Sequence, residues 1–158
     1  MKKFFSLAVA FIMLTAMNVF ANDNYTSLTN PVHMIQQSVD VTSGWTDGGS
    51  TSGYIDLTPT IPAGAIPIAW RANVTTAFAC DTTATMLVGI SGDTDKFTEN
   101  GAQSVAATGK VAGSALGQAE GANSIGSAQT VRVTVTEDSD FGDVTAGAAT
   151  ISIFYIRP

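Results

Sequence analysis

The sequence predicts an all-β protein: one β-sandwich or jelly-roll-like domain of about eight strands. Three observations carry that expectation. Short apolar segments alternate with polar residues at a period of two. Clusters of Gly, Ser, Thr, Asp and Pro separate those segments. No stretch between them reads as a convincing helix. The clearest strand is TVRVTVT, Thr130 to Thr136, in which Val131, Val133 and Val135 share one face while Arg132, Thr134 and Thr136 share the other.

The N-terminus is set apart from the fold. Met1-Lys2-Lys3 is a positive start, Phe4 to Met17 is almost continuously apolar, and Val19-Phe20-Ala21 ends on a small-x-small pattern. This is the layout of a secretory signal cleaved after Ala21. The apolar run also approaches the roughly 18 to 20 residues that span a bilayer, so an uncleaved anchor is the alternative. No cysteine follows the run, which gives no support to a lipid-modified N-terminus. The expected organisation is a leader over 1–21, a flexible arm over 22–31 and a sandwich over 32–158, too short for two domains. The leader places the mature chain outside the cytoplasm, extracellular or at a virion or cell surface, with no membrane association after cleavage.

Along the domain, Val32 to Val41 alternates, with Ile35, Gln37, Val39 and Val41 on one face and Gln36, Ser38 and Asp40 on the other. TSGWTDGGSTSG, Thr42 to Gly53, is a loop, and Trp45 within it is either a plug over one end of the sandwich or an exposed contact. Tyr54 to Thr58 is a short strand. Pro59, Pro62 and Pro67 each remove a backbone donor, so the chain around them cannot run through the middle of a fully paired sheet. Ile61-Pro62-Ala63-Gly64 reads as a turn with Pro second and Gly fourth. Beyond it, Ile66, Ile68, Trp70, Ala72 and Val74 alternate inward with Ala69, Arg71, Asn73 and Thr75. Thr85 to Ile90 is a further strand, Ser91 to Asp95 a turn, and Gln103 to Val111 a weak strand. Ala112 to Gln129 carries four glycines, each costing a helix about 1 kcal/mol against Ala, and is read as a long loop. The last strand, Thr150 to Ile156, is apolar on both faces: Ile151, Ile153 and Tyr155 on one, Phe154 and Ile156 on the other. A strand of that kind calls for cover on its outer side, which a second subunit can supply. Phe154 and Ile156 are therefore the candidate oligomer contacts.

Charge narrows the partners. The whole chain has a formal net charge of −6, and loss of Lys2 and Lys3 with the leader leaves Arg71, Lys96, Lys110, Arg132 and Arg157 facing all the acids. Such a chain, its cations scattered singly, repels phosphate backbones and anionic bilayers, so no nucleic acid is expected. Cys80 is the single cysteine, which excludes an internal disulfide and leaves a buried thiol or a bond to a second chain.

Three stretches together carry a family resemblance. TIPAGAIPIAWRANVTTAF (Thr60 to Phe78) is followed by DTTATMLVGISGDTDKF (Asp81 to Phe97), then by TVRVTVT and the closing TAGAATISIFYI. This resembles β-rich structural domains of tailed-phage virion proteins, of the fibre, spike or decoration type, over Tyr54 to Pro158. The resemblance implies a non-enzymatic structural or adhesive component that associates with itself and with other virion proteins, in a virion or a surface appendage. The leader leaves open whether the domain serves a virus or a secreted cell-surface protein.

Catalytic signals are poor. His33 is the only histidine, so a nucleophile has one available imidazole, in an early strand, and a zinc site of several His or Cys ligands cannot be assembled within one chain. Neither a phosphate loop nor a dinucleotide fingerprint is present. No cofactor is expected, although calcium has candidate oxygen donors in Asp93, Asp95 and Glu99, and a second acidic loop runs from Glu137 to Asp143. Solvated turns explain the same acids. Trp45 and Tyr54 are the candidate ligand-binding residues, by stacking on a surface glycan, and a secreted carbohydrate-binding module is the alternative function. Trp70, on the inward face, is assigned to the core.

Overall fold

Among the described residues, the alternating segments form nine strands in two antiparallel sheets. In the computed structural model the strands are β1 (His33–Asp40), β2 (Thr46–Asp47), β3 (Ser52–Ile61), β4 (Ile66–Thr76), β5 (Ala84–Gly89), β6 (Gln103–Ser104), β7 (Gly109–Ser114), β8 (Gln129–Glu137) and β9 (Ala148–Ile156). The structure describes residues 31–42, 44–79, 83–98, 101–114 and 124–157. The leader, most of the arm, Cys80 and Glu99 lie outside these residues. Among the described residues the only helical element is a single 3-10 turn, Phe141–Asp143.

One sheet has the order β1-β9-β4-β7 and the other β2-β3-β8-β5-β6. From β3 onward the chain passes back and forth between the layers, except at β5 and β6, which are neighbours in one sheet; the first strand pairs with the last, β3 with β8 and β4 with β9. This winding, with β2 added at the edge of β3, is that of a jelly roll. Most inward residues are those that alternation picks out: Val131, Val133 and Val135 of β8 are fully buried, as are Trp70, Ala72 and Val74 of β4 and Ile151 and Ile153 of β9. Ile66 and Ile68 are the exceptions: both are half-buried, because the register shift after Pro67 reverses the alternation, burying Pro67 and setting Ile66 opposite the outward Ile156. Met86 and Val88 of β5 and Ile55 and Leu57 of β3 complete the two walls.

The prolines show how local chemistry breaks a ladder. β3 extends through Pro59 to Ile61, further than Tyr54 to Thr58, but its pairing with β8 shifts register between Asp56 and Thr60. There the backbone of Thr58 donates to the Gln37 side chain of β1 at 2.8 Å instead of to a neighbouring strand. Likewise Pro67 sits at the register shift between Pro67 and Ala69 in the β4–β9 ladder. The missing proline donors thus fall where the strands bulge. The turn itself lies one residue later than expected: Ala65 donates to the Pro62 carbonyl at 3.2 Å, which puts Gly64, at φ +81°, at the position needing a positive φ.

Gln103 to Val111 is not one strand. β6 joins one sheet and β7 the other, because the chain crosses between layers over residues 105 to 108, with Val105 fully buried in the crossing. Thr98, also buried, does a strand's work through its side chain: its hydroxyl donates to the Val88 carbonyl (3.0 Å) and accepts from the Val88 amide (2.9 Å).

Trp70, 1% exposed in the centre of this core, should be its most costly truncation. Trp70→Ala is expected to lower unfolding free energy by about 3 to 5 kcal/mol, read from urea midpoints.

Candidate functional site

Four surfaces hold the residues to which the sequence points. The first is the end of the sandwich closed by the loop before β2. Trp45 is half-buried, edge-on to Phe78 (ring centroids 5.9 Å, 70°) and tilted against Phe141 (5.7 Å, 34°). Of the two readings of Trp45, this geometry is that of the plug. The seat of Phe141 beside it depends on Gly53, since a side chain there would enter the Phe141 ring. The acids near this end serve the backbone: Asp140 accepts from the Gly142 amide at 3.0 Å and Asp47 from the Gly49 amide at 2.8 Å, each holding a turn, while Asp138 accepts from the distant Thr83 amide at 3.3 Å.

The second surface is the outer face of the five-stranded sheet. Arg132 donates through Nε to Asp56 Oδ1 (2.7 Å) and through Nη2 to Oδ2 (2.8 Å), while its guanidinium lies 3.8 Å from the Tyr54 ring centroid. Cross-strand register places these groups together, with Asp56 opposite Arg132 and Tyr54 opposite Thr134. One face of the Tyr54 ring is thus already covered by a cation. The guanidinium holds the Asp56 carboxyl below its ordinary value, and the carboxylate in turn raises Arg132.

The third surface is the turn after β5. Asp93 forms a bridge with Ile90 and its carboxylate lies 3.6 Å from Lys96 Nζ, while Asp95 is exposed. Among the described residues no three His, Cys, Asp or Glu side chains converge as a metal site, and Glu99 falls outside that set.

The fourth surface is the outer face of the four-stranded sheet. Phe154 and Ile156 are half-buried there. Register sets Met34 on one side of Phe154 and Ala69 on the other, and the Arg71 guanidinium lies 6.0 Å from the Phe154 ring centroid. Ser152, on the same face, is buried and accepts from Gln36 Nε2 at 3.0 Å. The second apolar face of β9 thus gains part of its cover from β1 and β4 within its own sheet. At the far end of this face a shallow depression of about 320 Å³ is lined by Ser38, Asp40, Thr75 and Thr150. Hydrogen bonds from the Thr42 hydroxyl and amide hold Asp40 below its ordinary value.

Sequence reasoning passes over Val32 and Met34, the exposed large hydrophobic residues among those described. The signal was present, since position 34 shares its parity with the outward Gln36 and Ser38.

The winding defines the class, a jelly-roll sandwich. No protein-family model matches the sequence, and no curated protein matches it. Among solved structures the chain is similar to a chain in the capsid asymmetric unit of cyanophage Pam1, with TM-score 0.56, 18% identity, and 83% of this chain and 88% of that chain covered. It is likewise similar to a chain in the capsid of Ralstonia phage GP4, with TM-score 0.52, 16% identity, and 81% and 85% covered. At these identities the likeness is one of fold.

Two outcomes follow from this geometry. Trp45→Ala is expected to cost roughly 1.5 to 3 kcal/mol in urea unfolding, as for a half-buried plug; an exposed contact residue would cost under about 0.5 kcal/mol. Because the Asp56 carboxyl is lowered in the folded state, its contribution is present above the unfolded carboxylate pKa and is lost as pH falls through the lowered value. Arg132→Gln should flatten that acid limb of the stability profile while changing stability near neutrality by under about 1 kcal/mol, since the Asp56 carboxylate is exposed to solvent.

Proposed function

We propose that this protein is a non-enzymatic structural component of a phage virion, a small jelly-roll domain that acts by packing against copies of itself and other shell proteins. One observation carries the reading: the fold matches two capsid-derived chains over more than four-fifths of both partners in each comparison, so the matched chains are of similar size to this one. Fold alone does not define function. The uses of the loop side chains point the same way, because Asp47 and Asp140 hold turns, Asp138 binds the Thr83 amide and Trp45 closes the core. Within the virion class, the likeness to capsid chains favours a decoration role on the shell over a fibre or spike. Residues 1–21 act in this reading as a removable leader, so that the mature chain begins at Asn22.

Mass spectrometry of density-gradient-purified particles tests both parts. The expected result is this chain in stoichiometric amount, with Asn22 at its N-terminus. Its absence from particles contradicts the virion assignment, and an intact Met1 contradicts the leader.

A further inference from the structure

Val32, 59% exposed, and Met34, 50% exposed, stand side by side at the beginning of β1. β1 is an edge strand, paired with β9 alone. Among the described residues its backbone bonds to no segment other than β9. The other three edges are protected in familiar ways. β2 and β6 are two residues long, and β7 carries Lys110 together with two glycines. β1 has none of these devices: it runs for eight residues, HMIQQSVD, contains no lysine, arginine or proline, and bears its one carboxylate at the far end. Open donors and acceptors beside exposed apolar side chains form a template for another extended chain.

We propose that a second copy of this protein docks on β1, pairing its own β1 antiparallel so that the two four-stranded sheets join into one. A two-fold axis normal to the sheet makes such a contact self-complementary and closed. It keeps inner faces inward, so outward residues meet outward residues. In the register centred on Met34, that side chain lies against Met34 of the partner subunit, and Val32 lies against the partner's Gln36. The apolar residues of one copy then cover those of the other.

Charge favours the edge over the face of the same sheet. Arg71 and Lys110 both project from the outer face, where they are exposed, and Arg157 follows β9. Stacking two such faces sets cations against cations. Edge pairing leaves Arg71 two strands from the seam and Lys110 three, and brings no lysine or arginine to it. Phe154 and Ile156 border this seam rather than forming its centre, since Met34 is the cross-strand neighbour of Phe154.

This inference rests on the self-association part of the proposed function, and sedimentation equilibrium of the protein at micromolar concentration tests it separately from the virion assignment. The expected result is a dimer whose dissociation constant rises at least about tenfold in Met34→Arg and in Val32→Asp, with the circular dichroism spectrum of the folded state unchanged. Val32→Asp lies outside the strand and decides the matter if Met34→Arg impairs folding. A monomeric wild type overturns the proposal, as does an oligomer that survives both substitutions. A monomer whose β1 amides are protected from hydrogen exchange, and lose protection when residues 22–31 are removed, also overturns it and assigns the edge to the arm. A monomer that is nonetheless found in purified particles removes this contact and leaves the virion assignment standing; a dimer absent from particles does the reverse.

Discussion

The fold depends on the insertion of β9 between β1 and β4. Eight residue pairs join it to β1 and a further ladder, interrupted by two register shifts, joins it to β4. Without it the first sheet has no continuous hydrogen bonding, because β1 touches that sheet nowhere else and β4 would keep only β7. Its inward side chains, Ile151, Ile153 and Tyr155, are buried in the same core as the valines of β8. The strand that completes the sheet is also the ninth in chain order. The Gln36 to Ser152 hydrogen bond spans 116 residues of sequence, so the loop-closure entropy of nearly the whole domain precedes the gain from this ladder.

The same constraint explains what the sequence reveals of the fold and what it conceals. β8 and β4 were legible because each buries one face, and burial of one face imposes alternation on the residues. The doubled apolarity of β9 was legible too, but its meaning was only half contained in the strand. An interior strand shares cover with both neighbours, and Phe154 gains Met34 and Ala69 beside it. The division of Gln103 to Ser114 between two sheets was not legible, since small residues fit either layer and partner strands decide. β3 running past Pro59 was hidden for a related reason. A bulge accommodates a missing donor, and Gln37, distant in sequence, satisfies the Thr58 amide freed at the same place.

Surface residues were less legible than the core. Trp45 in a glycine-rich loop has the sequence context of a contact residue, yet two phenylalanines from distant segments make it a plug. Tyr54 pairs with a guanidinium through β3–β8 register, which composition does not encode. Acidic loops suggest cation binding by density of oxygens, but Asp47, Asp138 and Asp140 each accept from a backbone amide. Edge strands are a further case: exposure at Val32 and Met34 follows from the position of β1 in the sheet order, information held by the whole topology.

Native-state hydrogen exchange measured amide by amide tests the central place of β9 most directly. If β9 closes the sheet, its amides from Thr150 to Tyr155 exchange only by global unfolding, together with those of β4 and β8. Exchange of β9 through a local opening, at a free energy well below that of β4 and β8, would show that the sandwich holds without its last strand and would contradict the account.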